Sequence, residues 1–142
     1  DDLALPKRAQ LTADKFKNGC DYLYGSAVSI DAVGRKIKEL PADFFDLDTA
    51  LKERANRIVH STTAYRKEIA LKYPHPGGEM ARLGLDDWSL QLNMAMDGVK
   101  FDFTPATLCA YRVLESGITM TRNNDEVSAA KIAFIESLKV PA

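Results

Sequence analysis

Four stretches of this chain repeat apolar residues at alternating steps of four and three. The first carries Phe16, Cys20, Leu23, Ala27, Ile30, Gly34 and Ile37, and the second Leu51, Ala55, Ile58, Thr62, Tyr65 and Ile69. The third carries Ala81, Leu85, Trp88, Leu92, Ala95 and Val99, and the fourth Leu108, Tyr111, Leu114, Ile118 and Thr121. With 3.6 residues per turn, that rhythm puts one apolar stripe on each of four α-helices. Pro or Gly interrupts the sequence between them, which predicts short connections and an all-α, up-down-up-down four-helix bundle.

The breakers set the expected boundaries. Residues 1–9 have no period and contain Pro6, so they are expected to form an extended N-terminal arm. Thr12 is a suitable N-cap for a first helix that Pro41 stops. Asp46 or Asp48 opens a second helix ending near Lys72, and Tyr73-Pro74-His75-Pro76-Gly77-Gly78 makes the central turn. The third helix ends at Gly98, and Thr104-Pro105 reads as a cap followed by proline at the first helical position. The bundle is thus expected over residues 10–122. Asn123-Asn124 breaks the phase, and Val127, Ala130, Phe134 and Leu138 form a new stripe, so 123–142 is expected to be a short extra C-terminal helix.

The 142 residues suffice for one domain, and 46% hydrophobic residues suffice for a core. Net charge is −1 and the basic residues are scattered, which argues against nucleic acid as a partner. No segment approaches the ~20 apolar residues that span a bilayer. In a bundle, Cys109 would lie about 25 Å from Cys20 along the helical rise, beyond disulfide reach, so two buried thiols are expected.

Chemistry is sparse. His60 has Asn56, Arg57, Thr63 and Ala64 at helical neighbour positions, so no two-ligand metal motif forms around it, and His75 lies between prolines. Asp86-Asp87 and Asp125-Glu126 sit at expected helix starts, where acidic residues complement the dipole. Ser26, Ser29 and Ser61 lack a nucleophile-elbow context, and Gly77-Gly78 lacks the Lys-Ser or Lys-Thr of a phosphate loop. Tyr22, Tyr24, Tyr65, Tyr73 and Tyr111 read as core and interface residues. No catalytic, cofactor-binding or metal residues are assigned, and a non-enzyme is expected.

The run Met96-Asp97-Gly98-Val99-Lys100-Phe101-Asp102-Phe103-Thr104-Pro105, followed by Tyr111, resembles the junction between the last two helices of PsbQ-type proteins, the extrinsic lumenal subunits of photosystem II. Leu51-Lys52-Glu53-Arg54-Ala55 resembles the stretch that opens that family's second helix. Phe44-Phe45 stands where the family often has Trp-Pro, and the stretch after Asn124 looks like an addition of the diatom or red-lineage type. The resemblance implies a four-helix, non-catalytic subunit of the chloroplast thylakoid lumen, peripheral to the membrane, that helps the oxygen-evolving complex retain calcium and chloride. Its partners would be the photosystem II core and other extrinsic subunits, with no small-molecule substrate. The missing initial Met then reads as removal of a transit peptide. Lys7, Arg8, Arg35, Lys36 and Lys38 are the expected docking residues. The alternatives are a helical bundle that binds a small apolar ligand or pigment, and an unrelated structural subunit of a large complex.

Overall fold

The computed structural model describes residues 2–138 and overturns the all-α expectation. The chain forms a five-stranded mixed sheet with seven α-helices among the described residues, not a four-helix bundle. In chain order the elements are β1 (Leu3–Ala4), α1 (Arg8–Lys17), β2 (Tyr22–Ile30), β3 (Lys36–Leu40), α2 (Leu47–Glu53), a single 3-10 turn at His60–Thr62, β4 (Ala64–Tyr65) and α3 (Lys67–Lys72). They continue with α4 (Gly78–Arg82), α5 (Asp86–Met96), β5 (Phe101–Arg112), α6 (Ile118–Thr121) and α7 (Asn124–Leu138).

The centre of the sheet is β2. It pairs in parallel with β5 along its whole length, and antiparallel with β3 beyond Ala27 and with β4 at Tyr22 and Leu23. A strand flanked on both sides and covered on both faces is apolar throughout instead of alternating. Eight of the nine residues of β2 are buried. Six of the nine are apolar, on both faces, so Leu23, Ala27 and Ile30 fall at steps of four and three and imitate a helical stripe. Its Tyr, Val and Ile residues favour the pleated state.

The fourth stripe fails for a related reason. Phe101–Arg112 is rich in β-branched and aromatic residues, and Pro105 falls where the β2–β5 register shifts, between the Gly25–Thr104 and Ser26–Thr107 pairs. A proline, which cannot donate to a ladder, is tolerated at such a bulge. Thr104-Pro105 therefore marks an irregularity in a strand and not the start of a helix. The run that resembles a helix-to-helix junction passes instead from α5, through Gly98 at φ +80, into a strand. The stretch likened to a helix opening closes one: α2 ends at Glu53, and Arg54 takes a left-handed conformation with φ 55.

The third stripe does form a helix. In α5, Trp88, Ser89, Leu90, Gln91, Leu92 and Met94 are all buried. Leu90 and Met94 face the sheet, where they meet Tyr22, Tyr24 and Ile58. Leu85, Trp88 and Leu92 face away from it, toward Val127 and Ile135 of α7. A helix apolar nearly all round belongs between two layers, and α5 lies between the sheet and α7. Asn123 caps α7 by accepting the Asp125 and Glu126 amides at 2.9 and 3.1 Å. On the other face of the sheet, Lys15 of α1 pairs with Asp102 at 2.9 Å.

The first nine residues are not simply an extended arm. β1 pairs with β5 at the sheet edge, and α1 begins at Arg8. Cys20 and Cys109 are both free and buried. Cys109 pairs with Ala27 in the sheet, seven positions along from Cys20, which separates the thiols by roughly 20 Å at the strand rise.

Candidate functional site

A concavity lies beside β2 where the edge away from β5 has no strand partner. Between the β4 and β3 pairings, residues 24–26 are satisfied by side chains and loop amides. Gly25 N donates to Thr62 Oγ1 at 3.1 Å, Ala42 N donates to Ser26 Oγ at 2.9 Å, and Tyr24 OH donates to the Asp43 carbonyl at 2.6 Å. These bonds fasten the segment after β3 along the sheet and leave a cleft of about 700 Å³ between it, α2 and α5. That volume suits a small organic ligand.

Tyr24, Ile58, Trp88, Gln91 and Leu92 line the inner part, and all five are buried. Phe45, Ala50 and Ala55 continue the apolar wall. Ala50 and Ala55 leave room that larger side chains would fill. The outer part is polar and charged, with Asp43, Asp46, Thr49, Glu53, Asn56 and Arg57, and Phe44 stands there 74% exposed.

Hydrogen bonds hold this frame in one shape. Asp46 caps α2 through the Thr49 amide at 2.8 Å, and the Thr49 hydroxyl together with that amide holds its carboxyl below the ordinary carboxylate range. Arg57 pairs with Glu53 one turn away. Asn56 donates to Asp87 at 3.3 Å and accepts the Ile58 amide at 3.2 Å, tying the loop after α2 to the start of α5. Gln91 Nε2 reaches Tyr22 OH at 3.2 Å. Lys131 lies 5.2 Å from the centroid of the Trp88 ring and donates to the Arg54 carbonyl at 2.7 Å. Trp88 Nε1 is buried with no acceptor among the described residues.

Among the described residues, no Ser, Cys or His lines the cleft. Burial pushes the Tyr24 hydroxyl up to about 12, so it is a hydrogen-bond donor and not a base at neutral pH. The arrangement can enclose and orient a molecule.

The sequence-derived candidates lie elsewhere. Lys7 and Arg8 follow β1, which forms one edge of the sheet, and Arg8 donates to the Thr63 carbonyl at 3.1 Å. Arg35, Lys36 and Lys38 lie at the opposite edge, in and before β3. The strand order β1-β5-β2-β3 puts about 14 Å of sheet between the two groups. Arg35 pairs with Asp31 at 3.2 Å and Lys36 with Glu39 at 2.6 Å. The fold therefore does not assemble the five into one basic face.

Folding does bring His60 and His75 together, with ring centroids 5.5 Å apart, and His75 lies 3.3 Å from Asp86. Among the described residues no three His, Cys, Asp or Glu side chains gather as metal ligands. The serines serve the backbone: Ser29 accepts the Lys38 amide at 3.2 Å and Ser26 the Ala42 amide. The tyrosines build an aromatic ladder over the sheet, with Tyr22 stacked on Tyr65 at 5.3 Å and on Phe101 at 4.3 Å.

The stripes counted Trp88 and Leu92 as core and did not register the cleft beside them. The available signal was Phe44-Phe45 between Pro41 and the capping Asp46, two large aromatics in a stretch too short to bury both. No helix among the described residues is long and apolar enough to cross a membrane. No protein-family model matches the chain, and no curated protein is significantly similar to it.

Proposed function

We propose that this protein is a non-enzymatic binding module whose cleft takes one small, largely apolar molecule. The observation that carries this reading is the cleft of about 700 Å³ with a buried wall of Tyr24, Ile58, Trp88 and Leu92 and a polar mouth. Pockets of this size and lining are where small ligands bury most of their surface. The hydrogen bonds of Tyr24, Asp46 and Asn56 hold the frame in place, so binding has little ordering cost to meet.

The reading as an extrinsic subunit of photosystem II leaned on a layout of four helices and on a junction between the last two. The fold has neither, and the five basic residues meant to dock it lie at two edges of the sheet. The architecture thus lends that reading no support, and the cleft takes its place.

The chain has one tryptophan, so one indole N–H signal in the amide NMR spectrum of the labelled protein reports the inner cleft. Titration with neutral apolar aromatic fragments is expected to shift the Trp88 indole signal and the amides of residues 43–58, saturably and together. Ala55→Phe, which fills the cleft from its wall, is expected to abolish the shifts while leaving the rest of the spectrum in place. A fragment library that moves none of these signals, or moves them equally in the filled variant, refutes the reading.

A further inference from the structure

The charges around the cleft point to what its ligand carries, an inference that rests on reading the cleft as a ligand site. Three carboxylates, Asp43, Asp46 and Glu53, and one cation, Arg57, line it. Glu53 and Arg57 pair with each other. None of the ion pairs among the described residues includes Asp43 or Asp46. Two carboxylates therefore face the cleft without an ion-pair partner among the described residues.

Their positions are fixed. Asp43 accepts the Phe44 amide at 2.7 Å, and Asp46 accepts the Thr49 amide at 2.8 Å. Between them in sequence stand Phe44 and Phe45, both lining the same cleft, with Phe44 exposed at its mouth. The face of an aromatic ring is electron-rich and attracts a cation. Phe45 is stacked on Phe101, and the exposed Phe44 ring acts in the same direction as the two carboxylates. An anion is repelled by both. A neutral apolar molecule fills the inner wall but strips water from the carboxylates without replacing it. A cation on an apolar body answers both halves of the site.

We propose that the cleft selects an organic cation: an amine or quaternary ammonium head held at the mouth by Asp43, Asp46 and Phe44, on an apolar body that lies over Ile58 and Leu92. Aromatic–cation attraction and two carboxylates at a half-open site predict a preference of about tenfold over a neutral molecule of the same shape. The preference should shrink with added salt, since the mouth is exposed.

The test is calorimetric titration of the full chain with three probes that share a naphthyl body: naphthylmethyl trimethylammonium, naphthylmethanol and naphthalenesulfonate. The expected order is cation, then neutral, then anion. The double variant Asp43→Asn and Asp46→Asn is expected to bring the cation down to the affinity of the alcohol, with the alcohol unchanged. Asn at position 46 keeps an N-cap acceptor, so α2 is retained, and unchanged binding of the alcohol verifies that the cleft is intact. Cation and alcohol binding equally well, or a cation preference that survives in the double variant, overturns this inference and leaves the cleft reading standing. Failure of all three probes to bind overturns both.

Discussion

Gly25→Ala is the substitution that most directly tests the centre of this fold. A Cβ built at Gly25 lies 2.5 Å from Leu108 Cδ1 and 2.6 Å from Leu108 Cγ, with Thr104 Cγ2 at 3.1 Å. Carbon atoms in contact sit ~3.5–4.0 Å apart, so Leu108 would have to retreat by about 1 Å. It has nowhere to go, because Leu108 is fully buried and Cγ is its branch point and not a free end. Gly25 is also the last residue before the β2–β5 register shifts, where the two strands are locked by the bulge around Pro105. Overpacking of this kind costs about 1–3 kcal/mol. Replacing Gly by Ala in a strand recovers roughly 0.5–1 kcal/mol of backbone entropy, so a net loss of about 1 kcal/mol is expected. For a chain of this size that lowers the melting temperature by roughly 3–5 °C, measured by circular dichroism and checked against urea unfolding. Leu108→Ala alone opens a cavity and costs about 2–5 kcal/mol. The double variant should be more stable than the sum of the two losses predicts, because the added methyl then occupies vacated space. Additive losses, or a melting temperature unchanged in Gly25→Ala, would refute the close approach of β2 to β5 at this point.

Two further outcomes follow from burial. The Tyr24 hydroxyl is raised from its ordinary value of 10 to about 12, because burial disfavours its charged form. Below pH 10 it is neutral in both states, and between pH 10 and 12 only the unfolded chain ionises it, so stability should fall across that window by roughly 2 kcal/mol. Tyr24→Phe removes the bond to the Asp43 carbonyl, costing about 1 kcal/mol at neutral pH, and should flatten this part of the alkaline fall; an equally steep fall in the variant would refute the assignment. Burial also pushes both thiols up, so Cys20 and Cys109 should react with a disulfide reagent slowly in the native state, and both should react rapidly in denaturant without prior reduction. A single reactive thiol per unfolded chain would contradict the structure.

What the chain discloses by itself depends on how many neighbours each segment has. α5 was legible, since the spacing of Leu85, Trp88 and Leu92 does describe a helical face. The stripe of Val127, Ala130, Phe134 and Leu138 after Asn123-Asn124 corresponds to α7, with Val127 and Ile135 buried. β2 was not legible by periodicity, because a central strand covered on both faces has no polar side to betray its period of two. Residue type held the better signal: Tyr22, Tyr24, Val28 and Ile30 are strand formers, and so are Phe101, Phe103, Thr104, Thr107 and Tyr111. The cleft was hidden for a deeper reason. Its wall combines Tyr24 of the sheet, Ala50 of α2, Ile58 of a loop and Trp88 of α5, and no spacing rule links four segments that only the topology brings together. Its mouth is local, since Asp43, Phe44, Phe45 and Asp46 are consecutive. Carboxylates alternating with aromatics beside a helix cap read, on their own, as a solvated turn. They become a site only when α5 is placed behind them, and that placement is set by the parallel β2–β5 pairing that the helical stripes concealed.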